Sequence, residues 1–147
     1  MEKEILNIEA KLQFRGIELL HCNTSYTKVD NQNIIFNFDI TSEIQVSAEH
    51  KMVMVIIGVK IFDNDKANLL GDVATNCMFF IENFSEIITT KADNTFVIPD
   101  NLLIVLNSIS LSTTRGILWS SFRGTPLHTA LLPIVDPKLF KPQIIAQ

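Results

Sequence analysis

The 147-residue sequence has little of what marks most functional classes. Its two cysteines, Cys22 and Cys77, lie far apart inside strand-like runs, too few for a disulfide framework and expected as reduced core thiols. Charged residues make up only 19% and sum to −4, with no Lys/Arg cluster to track a phosphate backbone, so nucleic acid is not an expected partner. The longest strictly apolar runs, such as residues 53–57, are far too short for a bilayer, and the acidic start MEKEILNIEA is unlike a cationic secretory leader. A cytoplasmic protein without direct membrane insertion is expected. GxGxxG, the phosphate-binding P-loop, HExxH and CxxC are all missing, so nucleotide, zinc and dithiol chemistry lack their minimal residues. His21, His50 and His128 stand alone in sequence, and His21 and Cys22, adjacent in a strand, would point to opposite faces and form no thiolate–imidazole pair. Catalytic residues, cofactor and metal are therefore all read as none, and the chain as no enzyme.

What the sequence has in plenty is apolar side chains, 47% of residues. One domain of this length needs less than that for its own core, and the surplus points to an interface, a ligand groove or both. Any ligand must be released by mass action or by transfer to a partner, since nothing here hydrolyses ATP.

Residues 33–47 alternate: Ile34, Phe36, Phe38, Ile40, Ile44 and Val46 fall on one face, interrupted only by Ser42, and Asn37, Asp39, Thr41, Glu43 and Gln45 on the other. This is the period of a half-buried antiparallel strand. After the four-residue link SAEH, residues 51–62 (KMVMVIIGVKIF) read as its hairpin partner, apolar on both faces through the first half. The turn DNDKAN leads to another strand running up to Phe84, again apolar on both faces: Val73, Cys77, Phe79 and Ile81 against Ala74, Met78 and Phe80. A sheet of this kind needs two covers. Upstream, residues 11–29 read as a first strand whose phase shifts near Gly16, where a bulge would fit.

Pro99 and Asp100 then signal a helix start, and Leu102, Leu106, Ile109 and Thr113 share one helical face. A helix of about 20 residues follows, within 98–124, although the Ser and Thr at 108, 110 and 112–114 also suit a strand. Gly116 inside it suggests close approach of another backbone, and Gly124 a terminator. Pro126, Pro133 and Pro137 impose an extended connection over 125–136, and Asp136-Pro137 opens at most a short terminal helix before Pro142. The expected architecture is α+β: a four-stranded antiparallel meander (11–84) behind an N-terminal extension (1–10), a long helix (98–124), a proline-bearing loop (125–136) and a short C-terminal helix or tail (137–147), all one domain.

The order of these elements, and the segment FRGTPLHTALLPIVDPKLF (122–140) above all, resembles the protein-export chaperone SecB and its SecB-like relatives. LQFRGIELL (12–20) and FFIENFSEI (79–87) are similar to that family's first and fourth strands. The resemblance implies a homotetramer built as a dimer of dimers, with helices sandwiched between sheets. It implies an ATP-independent chaperone that holds unfolded polypeptides, such as precursors for export, in a hydrophobic groove. Partners would then be unfolded or precursor polypeptides and the export motor ATPase, or, in the alternative reading, a single dedicated partner such as an antitoxin. The expected groove residues are Trp119, Phe122, Leu127, Leu131, Leu132 and Ile134. SecB proteins usually continue into a longer second helix and a polar tail, which this sequence lacks.

Overall fold

The structure, a computed structural model, describes residues 9–25, 35–64, 66, 68–138 and 143–146. Four long strands, β1 (Leu12–Thr24), β2 (Asn37–Ser47), β3 (Met52–Phe62) and β4 (Leu69–Ile81), pair antiparallel in the order β1-β4-β3-β2. The alternation in β2 emerges as expected, with Ser42, Ile44 and Val46 buried on one face. β3 carries Val53, Val55, Ile57, Val59 and Ile61 on that same face, all fully buried. Lys51, in the left-handed region at φ 54, closes the turn between β2 and β3 by donating its N–H to the Ala48 carbonyl (3.3 Å). The first strand shifts register between Phe14 and Gly16, where the sequence suggested a bulge, and again between Leu19 and His21. Residues 26–29 and 33–34, read from sequence as parts of strands, lie outside the described residues.

β4 ends at Ile81, short of the expected Phe84, because Asn83 turns the chain. Its side-chain amide donates to the Glu9 carbonyl (2.9 Å) and its Oδ1 accepts from the Lys11 N–H (2.8 Å), tying the entry of β1 to the exit of β4. Next come a one-turn helix, α1 (Phe84–Ile87), and a two-residue ribbon of β5 (Thr89–Thr90) with β6 (Phe96–Val97). The Phe84 and Phe96 rings meet edge-on at 6.4 Å and hold the ribbon to the core.

The long helix α2 spans Asp100–Ser121, with Pro99 at its N-cap. It lies across β3 and β4, and the core is the layer between helix and sheet. Its buried face is Leu102, Leu106, Asn107, Ser110, Leu111, Thr114 and Leu118. Ile109 and Thr113, grouped by sequence with Leu102 and Leu106, sit only half buried at the flank. Polar residues took their place, and Asn107 and Thr114 each find a match on the sheet. The Ser42 hydroxyl donates to Asn107 Oδ1 (3.3 Å) and Thr75 pairs with Thr114 (2.8 Å). Burial pushes the Cys77 thiol up, with the Ser110 and Thr113 hydroxyls beside it pulling the other way. α2 is long and apolar enough to cross a membrane by length and composition alone, yet Leu102, Leu106, Leu111 and Leu118 are buried in the core between it and the sheet.

The C-terminal stretch departs from the expected short helix. Pro137 and Lys138 form a turn, and Gln143–Ala146 is a strand, β7, paired parallel to β2 with Glu43 opposite Gln143 and Val46 opposite Ala146. Ile144 and Ile145 are β-branched and disfavour so short a helix, whereas an open strand edge offers them a ladder. Residues 139–142 lie outside the described residues.

Candidate functional site

The segment after α2 was expected to be extended throughout. Its first part instead coils in successive turns: Thr125 Oγ1 donates to the Phe122 carbonyl (2.8 Å) and accepts from the Leu127 N–H (3.2 Å), and the His128 N–H reaches the Thr125 carbonyl (3.1 Å). Residues 130–136 then run without turns, held to the helix by Arg115, whose Nε and Nη2 donate to the carbonyls of Leu132 and Pro133, each at 2.9 Å. This guanidinium fork satisfies two carbonyls of a proline-interrupted stretch that has no ladder of its own.

That arrangement divides the six expected groove residues. Phe122, Leu127 and Leu132 are buried to 1–2% exposure and belong to the core. The Leu127 tip and the Phe122 ring close over Gly71, where an added Cβ would meet Leu127 at 3.1 Å and Phe122 at 3.6 Å. Trp119, Leu131 and Ile134 lie on the surface at 51%, 54% and 93%. Trp119 and Phe122, one helical step apart, therefore have opposite environments: the chain leaves the helix at Phe122 and folds that ring inward.

Sequence reasoning required a second cover for the sheet but named no residues for it. Among the described residues nothing lies over the face opposite α2 as a layer. Across that outer face the register sets Gln13, Phe80, Met52 and Ser47 in one row, Gly16, Met78, Met54 and Gln45 in the next, and Glu18, Asn76, Ile56 and Glu43 in the third. Met52, Met54, Ile56, Met78 and Phe80 thus form a half-buried apolar patch on the two central strands, framed by amides, hydroxyls and carboxylates on the flanking ones. The Arg15 guanidinium sits 4.6 Å from the Phe80 ring centre, a cation–π rim. Met78 fills the space a side chain at Gly16 would need, 2.8 Å from a Cβ there. Unbranched thioether side chains re-pack around irregular apolar partners, which suits contact with many shapes. At the centre of the third row, Asn76 is 7% exposed; its amide donates to Glu18 Oε2 (3.4 Å), while its Oδ1 has no hydrogen-bond partner.

Toward the other end the outer face turns polar. A concavity of about 460 Å³ there is lined by His21, Asp39, Thr41, Lys60 and Asp72 among others. His21 Nε2 and Asp72 Oδ1 are 2.9 Å apart, and Lys66 pairs with Asp39 at 3.1 Å. Cys22 pairs in register with Val73 on the helix side of the sheet, so no thiol joins the His21–Asp72 pair. Among the described residues, no cluster of three or more His, Cys, Asp or Glu could hold a metal ion. A second concavity of about 480 Å³ lies on the helix side, between the start of β1 (Glu9, Ala10, Leu12), Ile87 and the first turns of α2 (Asn101, Leu102, Val105).

The helix side also has an uncovered strip. Phe14, Ile17 and Leu19 of β1 face the same way as the core residues Phe79, Cys77 and Thr75 opposite them, yet remain 44–49% exposed because α2 does not extend over them.

An antiparallel sheet in the order β1-β4-β3-β2, followed by one long helix across it, is the SecB-like fold. No family model matches the chain, and no curated protein does. Among solved structures it is similar to the Mycobacterium tuberculosis Rv1957 SecB-like chaperone in complex with a ChAD peptide from the Rv1956 HigA1 antitoxin, at a TM-score of 0.59 and 14% identity over 84% of this chain and 89% of that one.

Proposed function

We propose that the chain is a SecB-like, ATP-independent chaperone that holds extended apolar segments of other polypeptides. The observation that carries this reading is the outer sheet face, where Met52, Met54, Ile56, Met78 and Phe80 stand without a covering layer inside a polar frame. Trp119, Leu131 and Ile134 add exposed apolar side chains, while Phe122, Leu127 and Leu132 are packed into the core. Burying one Leu- or Phe-sized side chain is worth roughly 1.5–3 kcal/mol. Micromolar affinity requires about 8 kcal/mol beyond the cost of ordering a floppy chain, so several contacts must form together. A patch two strands wide, with exposed side chains such as Trp119, Leu131 and Ile134, offers that number, and a client backbone can add hydrogen bonds that do not depend on its sequence.

The uncovered helix side is assigned to self-assembly. Phe14, Ile17 and Leu19 on β1, with Val105 and Gly116 on α2, are exposed in one chain and would be covered by further copies in a homotetramer. Gly116 supports this: an added Cβ would meet nothing within 4 Å, so nothing in the described chain requires glycine there.

A delay in the aggregation of a chemically denatured polypeptide, at stoichiometric ratio and without nucleotide, is the expected result; no delay at any ratio would overturn the reading. A second reading, a chaperone devoted to one partner, is favoured by the antitoxin-derived peptide in the mycobacterial neighbour. Pull-down under native conditions separates them. Many unrelated precursors, with the export motor among the partners, indicate the general cytoplasmic chaperone, and one dominant partner the dedicated one.

A further inference from the structure

The strand β7 is an apolar peptide, Gln-Ile-Ile-Ala, already seated on the sheet. It lies on the free side of β2 and continues two rows of side chains. By register Ile144 falls beside Ile44 on the helix side, in the row of Val55, Cys77 and Ile17. Ile145 falls beside Gln45 on the outer side, in the row of Met54 and Met78. One short segment thus extends a core row with one side chain and, beyond Gln45, a row of the outer apolar patch with the next.

Its hold is weak by construction. It is four residues long, it is the one parallel neighbour in a sheet of antiparallel pairs, and parallel ladders are slightly less stable per residue. Both isoleucines keep over a third of their surface in water, Ile144 at 38% and Ile145 at 37%. By contrast Ile44 and Val46, the inward residues of β2 in the paired stretch, are wholly buried. The edge is therefore built to accept a strand, and the strand that fills it can leave.

We propose that the β2 edge at Glu43, Ile44, Gln45 and Val46 is a binding site for an extended client segment carrying two consecutive branched apolar residues, and that β7 occupies it as a tethered stand-in until such a segment displaces it. The proposal rests on the chaperone reading above and adds to it a place of entry and a built-in competitor. Main-chain hydrogen bonds along the edge give affinity for any extended chain, and the two side-chain positions select branched apolar residues over charged ones. A competitor on the same chain acts at an effective concentration set by its tether, so loosely held clients are excluded and strongly apolar ones admitted.

The test compares the full chain with one ending at Pro142, using as probe a fluorescent peptide containing QIIAQ, the sequence of residues 143–147. If β7 is docked nine-tenths of the time, removing it tightens peptide binding about tenfold. Hydrogen exchange should show those amides of residues 43–46 that point away from β3, every second one along β2, unprotected in the shortened chain and protected again by the peptide. A peptide with both isoleucines replaced by aspartate should not bind. Should the shortened chain fold poorly, the full-length double variant Ile144→Pro, Ile145→Pro provides the same comparison, since proline removes ladder donors. Equal peptide affinity for the two chains, or protection elsewhere than residues 43–46, overturns the proposal. If the shortened chain still delays aggregation while ignoring the peptide, this inference fails and the chaperone reading stands; if neither chain delays aggregation, both fall.

Discussion

β1 and β3 belong to the same sheet, and both are rich in apolar residues, yet their environments differ completely. Every second residue of β3 from Val53 to Ile61 is wholly buried, whereas Phe14, Ile17 and Leu19 of β1 are nearly half exposed on that same helix side. Nothing in either strand's own sequence makes this difference. α2 lies over β3 and β4 and ends the core there, so burial is decided by the covering layer. Apolar residues can thus mean core in one strand and free surface in the next, and for this fold the free surface is where partners are to be sought.

The sharpest way to probe that contrast is the ring pair Phe14–Phe79, with centroids 4.9 Å apart across β1 and β4. Phe79→Ala empties a fully buried site and should destabilise the chain by about 3–5 kcal/mol in denaturant titration. Phe14→Ala should cost only about 1 kcal/mol, because that ring is already half in water. Equal losses would mean that β1 is core after all. A second matched pair lies on α2. Leu118→Ala, at 1% exposure, should cost about 2–5 kcal/mol. Trp119→Ala, next to it and 51% exposed, should change stability by less than about 1 kcal/mol while weakening client holding, read by the aggregation assay.

Gly116→Ala should raise the stability of the isolated chain by up to about 1 kcal/mol, since alanine favours helix and its Cβ meets nothing here. The same change should weaken self-association measured by sedimentation, if a second backbone approaches that site. The smallest effect concerns Asp93 in the turn before β6. Hydrogen bonds from the Thr95 hydroxyl (2.6 Å) and N–H (3.2 Å) hold its carboxyl below the usual range. A depressed carboxylate stabilises the fold above its unfolded pKa and loses that contribution as pH falls through the folded one. Asp93→Asn should therefore lower Tm slightly near neutrality, with the two curves converging in acid.

Much of this fold was legible because period and punctuation agree. β2 shows one interruption in its alternation, Ser42, and the structure explains it by the partner Asn107 on the helix. Pro99 and Asp100 signalled a helix start, and α2 begins at Asp100, inside the expected range of 98–124. The helix face was read less well, since Asn107 and Thr114 point at the sheet and hydrophobic periodicity is blind to polar residues that find mates. The strand Gln143–Ala146 was missed because a ladder depends on an edge supplied by residues about 100 positions earlier, which no local window contains. For the candidate site, the two-faced apolar character of β3 and β4 was visible in the sequence, but which face would be left open depended on where α2 came to rest. The split among the six residues between Trp119 and Ile134 followed from the turns at Thr125 and the grip of Arg115, both tertiary in origin.

The hydroxyl and amide pairs between α2 and the sheet have one more consequence. Ser42 with Asn107 and Thr75 with Thr114 match only at a single setting of the helix along its strands. Sliding by one turn would strand several dry polar groups, each costing about 1–3 kcal/mol, whereas an all-leucine seam would tolerate such a slip. These pairs work as a detent, keeping the helix in its notch whatever load falls on the outside of the molecule.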